Sequence, residues 1–478
     1  MFARAAERRR GERKAELDRL AAREDCLPEL QYFLSLYAED PTLESIGGRT
    51  GLRPAAILCL QAPVELFWAQ GFSPVKIYSG AYASANLTSP RLPALMCPCV
   101  KAILGEMELD PGLALAPWAI PLTCDWLVKF GEARGLFGGF SGPVHLVEVP
   151  RVKEDPRARA RWLSEIRSLS GFLKDAGGRP LKRADLLAAV RRMEEARRAL
   201  ASLTLLRREG LVPAVWYSLI TGAFFLDAPG RWTGGVDGYV SALRRSGGKG
   251  GEGAARGRRR ADAAEGPGRD GAEGGRGQGA GGDGGAGARE GGAGEGSGRG
   301  LPAGMGPGGG PGAGEAAGGA VPPEAPRPDG VYLTGAPVYF PNFKVLHLME
   351  EAGLKCLGDD LCSSERLFPR HVEVSDSSAE GLLAALAEAY HRGCLCPVFS
   401  ESERRAALIR EAADQAPVRG VVFHLLKGCH PYELDSFALE GKVTGWGLKF
   451  LKIETDYSTE DTRNLLTRLE AFRPTLGV

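Results

Sequence analysis

The sequence predicts an α/β protein with two doubly wound domains, a helical layer and a long insertion. Short apolar segments that can form buried strands alternate with helical segments in two separate parts of the chain. Between these parts, residues 246–328 are rich in Gly, Ala, Arg, Glu and Pro, with almost no large apolar side chain. Such a segment cannot bury enough apolar surface to offset its ordering entropy, so we interpret it as a disordered linker. The domains of the 478-residue chain are then 1–70, helical; 71–245, the first α/β domain; 246–328, the linker; and 329–478, the second α/β domain.

The N-terminal half combines helical and strand patterns. Residues 1 to about 30 are charged and helical in pattern, and apolar residues continue at helical spacing from 27 to about 71. In the first α/β domain we expect strands at 74–78, 114–122 and 144–149. Residues 151–245 have mainly helical periodicity and are expected to form a helical layer on this domain, with helices at 159–173, 183–206 and 213–226.

The second α/β domain has the same alternation. Its expected strands are 331–333, 354–357, 418–426 and 448–453, and its expected helices are 342–352, 379–392, 401–415 and 459–472. This alternation is typical of Rossmann or flavodoxin-like sheets, in which ligands bind outside the carboxyl ends of the strands.

Charge and hydropathy favour a cytoplasmic protein without a nucleic-acid or membrane partner. Lys and Arg number 60 and Asp and Glu 59, so the net charge of +1 gives no general attraction to nucleic acid or anionic lipid. The N-terminus lacks the apolar core of a secretory signal. The longest uncharged apolar run, residues 211–226, is interrupted by Pro213 and Gly222 and is interpreted as a buried helix.

Cysteines are the residues most indicative of function. In a reducing compartment, ten cysteines indicate metal binding, catalysis or burial rather than disulfides. Several precede expected helices, whose N-termini favour the thiolate. Converging thiolates could hold an iron–sulfur cluster. Zinc is the competing metal, although the cysteines lack the spacing of a compact zinc ribbon. The cysteines at such positions or in Cys-x-Cys pairs are Cys97, Cys99, Cys124, Cys394, Cys396 and Cys429, and those expected in the core are Cys26, Cys59, Cys356 and Cys362.

Several motifs resemble the 2-hydroxyacyl-CoA dehydratase/benzoyl-CoA reductase family, of the D-component type. They occur in both α/β domains, in the same order as in the family, and exclude the first ~30 residues and the linker. The motifs are CPCVK at 97–101, CD at 124–125, GDDLC at 358–362, GCHPYE at 428–433, KIETDYS at 452–458 and TRLEAF at 467–472.

The resemblance implies an oxygen-sensitive [4Fe-4S] cluster held by Cys97, Cys124 and Cys429, with one iron open to substrate. It also implies an ATP-dependent activator protein that injects one electron, which the cluster passes to the carbonyl of an acyl-CoA thioester. The resulting ketyl radical loses the α-hydroxyl and a β-proton. ATP would bind the activator, and this sequence has no Walker-type loop. A second copy or a homologous subunit would complete a dimer.

The extra cysteines point to a second form of the site. A branch of the family carries a double-cubane [8Fe-9S] cluster on six cysteines and reduces small molecules. Six candidates are present here: Cys97, Cys99, Cys124, Cys394, Cys396 and Cys429. The count favours the double cubane, but both forms stay open, because only one thiol of each pair can face the cluster if the segment is not a regular strand.

Other polar residues have competing interpretations. His430 and Glu433 adjoin Cys429 and are candidates for proton transfer or for supporting the cluster, against helix capping and solvation. Arg366 and Lys427 could contact CoA phosphates or the activator, or have surface roles, and His424 is expected to be a core histidine. The alternative to an enzyme is a non-catalytic scaffold or sensor that binds an iron–sulfur cluster or zinc.

Overall fold

The protein is built around two four-stranded parallel sheets, as the sequence predicts. The structure, a computed structural model, describes residues 2–133, 141–247, 329–368, 371–393, 395–400 and 402–477. The expected linker at 246–328, apart from its first two residues, and Cys394 lie outside the described residues.

The first sheet has the strand order β2-β1-β3-β4, and every neighbouring pair is parallel. The helical expectation for residues 27–71 is wrong at its centre, because β1 lies there. The β1 segment is short and rich in alanine, so its intrinsic preference for the strand conformation is weak. It forms a strand because it pairs with β2 on one side and with β3 on the other. The strands are β1 Arg53–Ile57, β2 Phe72–Lys76, β3 Trp118–Pro121 and β4 Val144–Val147.

The second sheet repeats this topology with the order β6-β5-β7-β8. Its four strands occur where the sequence predicts them. In each sheet the chain first adds a strand on one side and then crosses to the other, so the order reverses between β1 and β3 and between β5 and β7. Such switch points open a crevice at the carboxyl edge. The strands are β5 Gly330–Gly335, β6 Cys356–Asp359, β7 Val418–Leu426 and β8 Lys449–Thr455.

Helices cover both sheets and form the expected layer. None of those in the described ranges combines the length and apolar character needed to cross a membrane. The helices are Phe2–Ala21, Leu30–Ala38, Leu43–Thr50, Val64–Ala69, Tyr82–Thr88, Pro98–Leu109, Pro111–Leu115, Asp125–Ala133, Pro156–Asp175, Arg183–Arg208, Ala214–Gly222, Pro229–Gly247, Lys344–Glu351, Ala379–Gly393, Ser402–Gln415, His430–Gly445 and Thr462–Phe472.

The helix Arg183–Arg208 fastens the helical layer to the second sheet. Arg207 is fully buried and pairs with Asp359 at the end of β6, at 2.6 Å. The next residue, Arg208, pairs with Glu365 at 2.5 Å. Because buried charges need partners, these pairs fix the position of the β6 turn relative to the N-terminal half.

Candidate functional site

Three predicted cluster ligands occupy equivalent positions at helix starts. Cys97 and Cys429 are the N-terminal caps of Pro98–Leu109 and His430–Gly445, and Cys124 directly precedes Asp125–Ala133. Proline in the first turn of two of these helices suits a position whose N–H has no helical partner. Each thiol is thereby held where free N–H groups and the helix dipole favour negative charge.

The three cysteine loops meet at Gly428. The indole Nε1 of Trp126, two residues after Cys124, donates a hydrogen bond to the Gly428 carbonyl at 3.2 Å. On the other side, Gly428 lies so close to Leu95 that a Cβ atom would overlap the Leu95 carbonyl oxygen. Gly428 has a φ of 75°, which glycine adopts without strain. The residue therefore joins the loops of both sheets by close backbone approach.

The thiols of cysteines that follow strands of different sheets interact. A hydrogen bond from the Cys429 thiol, together with the N–H groups of Cys99 and Val100, lowers the pKa of Cys97. The same bond and burial raise the pKa of Cys429 well above its usual value. Burial, partly offset by the N–H groups of Leu127 and Trp126, raises the pKa of Cys124 to about 11. A bound cation would replace the protons of these thiols.

The extra cysteines form a second group. Cys99 is in the first turn of its helix. Burial is the main cause that raises its pKa, and the nearby Cys97 and Cys362 raise it further. Cys396 is half-buried, and Tyr432 interacts with both it and Cys362. Sequence reasoning placed Cys362 in the core, and the structure places it half-buried against the core and near Cys99. Its position three residues beyond Cys356–Asp359, at the carboxyl edge of the sheet, is the signal that could have shown this.

The remaining polar candidates differ in their surroundings. His430 and Glu433 are exposed, with His430 Nδ1 and Glu433 Oε2 3.6 Å apart. Lys427 pairs with Asp456 at 2.8 Å. Arg366 does not extend into solvent for CoA, because it donates to the Tyr432 hydroxyl at 2.6 Å and to the backbone carbonyls of Asp360 and Leu395.

His424 is a buried core histidine, as expected. Its Nδ1 donates to the Ala336 carbonyl at 2.8 Å, and burial lowers its pKa to about 4. It stabilises the turn after β5 and is not part of the thiol group.

In the part of the chain that the structure describes, the candidate thiols are not arranged around one metal ion. Within the described ranges, no three His, Cys, Asp or Glu side chains are grouped closely enough to hold one metal ion. In an iron–sulfur cluster each thiolate binds a different iron, so the sulfur atoms lie further apart than around one zinc ion. The hydroxyl of Tyr457 is also buried with no nitrogen or oxygen partner in this part of the chain, and it interacts with Cys99.

Comparison with known proteins decides the family. A profile of the 2-hydroxyglutaryl-CoA dehydratase D-component family matches residues 59–261 and 313–476. The chain belongs to this family. The matched ranges of the D-component family contain Cys97, Cys124 and Cys429, and the resemblance read from the motifs is confirmed.

Two relatives agree with this assignment. The chain is 23% identical to YjiM of Escherichia coli (strain K12), named as a dehydratase subunit, over 433 residues, which cover 88% of this chain and 91% of YjiM. It is 24% identical to the (R)-phenyllactyl-CoA dehydratase beta subunit of Clostridium sporogenes over 132 residues, 28% of this chain and 34% of that subunit. The chain is therefore a 2-hydroxyacyl-CoA dehydratase-type subunit.

Proposed function

We propose that the chain binds an oxygen-sensitive iron–sulfur cluster through Cys97, Cys124 and Cys429 and uses it for one-electron reduction of a substrate. The observation that carries this proposal is that the loops of three cysteines at helix starts meet at Gly428. Cysteines that only fill the core would have no reason to lie in three separate loops, from two sheets, that come together at one residue. Membership of the D-component family supports the same ligands.

The chain's own residues would hold and insulate the cluster. N–H groups of the first helical turns donate toward the three sulfurs and favour their anionic form. When bound, the cluster supplies a low-potential electron to a thioester carbonyl or, in the double-cubane form, to a small molecule. His430 and Glu433 stand on the exposed first turn after Cys429, where they could exchange protons with solvent.

An open cavity gives the substrate a route toward the thiols. Its volume is about 600 Å³, and its lining includes Asn342, Lys344, His347 and Tyr457. Tyr457 connects the cavity to the cluster site, because its hydroxyl interacts with Cys99 and Cys97. A substrate in this cavity would be separated from the thiols by one aromatic ring.

Two partners follow from the proposal. The electron would come from an ATP-hydrolysing activator protein, since the chain has no nucleotide-binding loop of the Walker type. A second copy or a homologous subunit would complete the enzyme, as the component naming of the family implies.

The test is anaerobic reduction followed by electron paramagnetic resonance. The protein is mixed with a cognate activator, a reductant and either ATP or a non-hydrolysable analogue, and 2-hydroxyacyl-CoA turnover is followed by mass spectrometry. We expect a reduced-cluster signal only with ATP hydrolysis. Full reduction at the same rate without activator or ATP would contradict the activator requirement. A colourless protein with stoichiometric zinc would instead support the scaffold function.

A further inference from the structure

We propose that His347, oriented by Glu16 of the N-terminal helix, binds the hydroxyl group of a 2-hydroxyacyl substrate in the cavity of about 600 Å³ that Tyr457 lines. This inference rests on the proposed function, because it assumes that the substrate enters this cavity. Glu16 lies outside residues 59–261 and 313–476, which the family profile matches, so the profile does not carry this pair.

Two helices contribute to the wall of the cavity, each through one face. The lining residues of each helix lie three or four positions apart, so their side chains share a face. They include Glu12, Glu16 and Arg19 from the helix Phe2–Ala21 and Lys344, His347 and Glu351 from the helix Lys344–Glu351. The N-terminal helix is therefore part of the wall of the cavity, although it precedes the first sheet in sequence.

Polar contacts hold the N-terminal helix in place. The buried Arg9 donates to the Asp40 carboxylate at 2.6 Å. One turn further along, Glu12 Oε1 accepts a hydrogen bond from the backbone N–H of Ala83 at 3.0 Å. These contacts with two separate segments fix the helix, and with it the position of Glu16.

The Glu16 carboxylate orients the His347 ring. Glu16 Oε1 and His347 Nε2 are 2.7 Å apart, and only 4% of the surface of His347 is exposed. An ionised carboxylate can only accept a hydrogen bond, so Nε2 carries the proton of the neutral ring and Nδ1 is an acceptor. Among the described residues the ring has no second hydrogen-bond partner. A ligand group that donates a hydrogen bond would satisfy Nδ1.

The bonding of Lys344 narrows the class of ligand group. Its Nζ donates to the Asp461 carboxylate at 2.5 Å and to the backbone carbonyls of Asp456 and Ser458 at 3.0 and 2.7 Å. All three N–H bonds of the ammonium are thereby used, so this lysine has none left for a carbonyl or carboxylate of a ligand. Beside its thioester carbonyl, a 2-hydroxyacyl group carries one donor, the α-hydroxyl. That hydroxyl therefore matches the free acceptor of His347.

The test is the equilibrium binding of matched thioesters to the full chain, purified without oxygen and kept without activator, reductant or ATP. Isothermal titration calorimetry compares (R)-phenyllactyl-CoA with 3-phenylpropionyl-CoA, and lactyl-CoA with propionyl-CoA. The members of each pair differ only in the hydroxyl. We expect the wild type to bind the hydroxylated member of at least one pair roughly tenfold or more tightly, because a site that bonds a substrate hydroxyl discriminates against the analogue that lacks it.

Variants of the pair separate recognition from packing. His347→Phe removes the acceptor and should reduce the affinity ratio to about 1, with the affinity for the thioester without the hydroxyl unchanged. Glu16→Met leaves the ring without its orienting partner and should also lower the ratio. Glu351→Gln, an exposed position in the same cavity, is the control and should keep the ratio. A purely structural role of the pair would change the affinity for both members equally.

The outcomes separate this inference from the proposed function. Equal affinities within both pairs for the wild type, no binding of any of the four thioesters, or an unchanged ratio in His347→Phe would overturn the hydroxyl site. If His347→Phe does not fold, an unchanged ratio in Glu16→Met would overturn it instead. Wild-type protein without iron would overturn the cluster of the proposed function, whereas the affinity ratio, measured on the same sample, decides the hydroxyl site.

Discussion

Gly428 lies against the backbone of Leu95, and this contact joins the Cys429 loop of one sheet to the Cys97 loop of the other. Replacement of Gly428 by alanine would force a Cβ atom into the Leu95 carbonyl. We therefore expect Gly428→Ala to lower both the melting temperature and the iron retained per chain, by separating the cysteine loops.

Gly447 offers a matched control for that variant. It also has a positive φ, 81°, but a Cβ there would meet nothing within 4 Å. Gly447→Ala should cost about 1 kcal/mol of backbone strain and leave the iron content unchanged. Equal iron contents in the two variants would show that the approach of Gly428 to Leu95 is not needed for the site.

The buried pair of Arg207 and Asp359 should contribute strongly to stability. Arg207→Met leaves the Asp359 carboxylate buried without its cation, which costs about 3–5 kcal/mol. The control is Arg159→Met, which breaks a pair with Glu388 whose arginine is 58% exposed and should cost about 1 kcal/mol or less. Urea unfolding measures the loss of stability in both variants. Similar midpoints for Arg207→Met and Arg159→Met would contradict the larger loss expected for Arg207→Met.

His424 should make the protein less stable in acid. Its pKa in the folded state is about 4, below its ordinary 6.5, because burial outweighs the bond to Ala336; nearby Lys344 lowers and Asp461 raises the value. The unfolded state therefore binds more protons between these values, so stability is fully present above pH 6.5 and falls as the pH drops toward 4, by about 3 kcal/mol.

The comparison variant for that pH dependence is His424→Gln, which keeps a donor for the Ala336 carbonyl. Stability measured by urea unfolding of the cluster-free proteins should fall more steeply for the wild type than for the variant between pH 6.5 and 4. Parallel profiles would mean that His424 is not held in the neutral form.

Much of the fold could be predicted because its signals are local. The strand β7 is a long apolar run, and Leu425 and Leu426 lie directly before the predicted cysteine loop. The strand β1 could not be predicted, because Ala55 and Ala56 have little preference for strands and acquire that state only by pairing with β2 and β3.

The positions of the candidate cysteines could be predicted where sequence position implies geometry. A cysteine between a strand and a helix, such as Cys124 or Cys429, must lie at the carboxyl edge of its sheet. Cys362 was not grouped with Cys99 from sequence, because Cys99 lies in sequence between two strands of the first sheet and no local pattern shows how two sheets face each other. Proximity of that kind depends on tertiary contacts such as the hydrogen bond from Lys76 Nζ to the Cys362 carbonyl at 3.1 Å.

The most direct test of the cluster site is iron and sulfide counting in anaerobically purified protein. Wild-type protein should contain an iron–sulfur cluster. Cys97→Ser, Cys124→Ser and Cys429→Ser should each lose most of the iron bound by this ligand set, because each removes one of three proposed ligands whose loops meet at Gly428. Cys26→Ser, whose thiol accepts from Gln31 Nε2 at 3.7 Å, serves as the control. Full iron in the three variants, or no iron in the wild type, would contradict the cluster site.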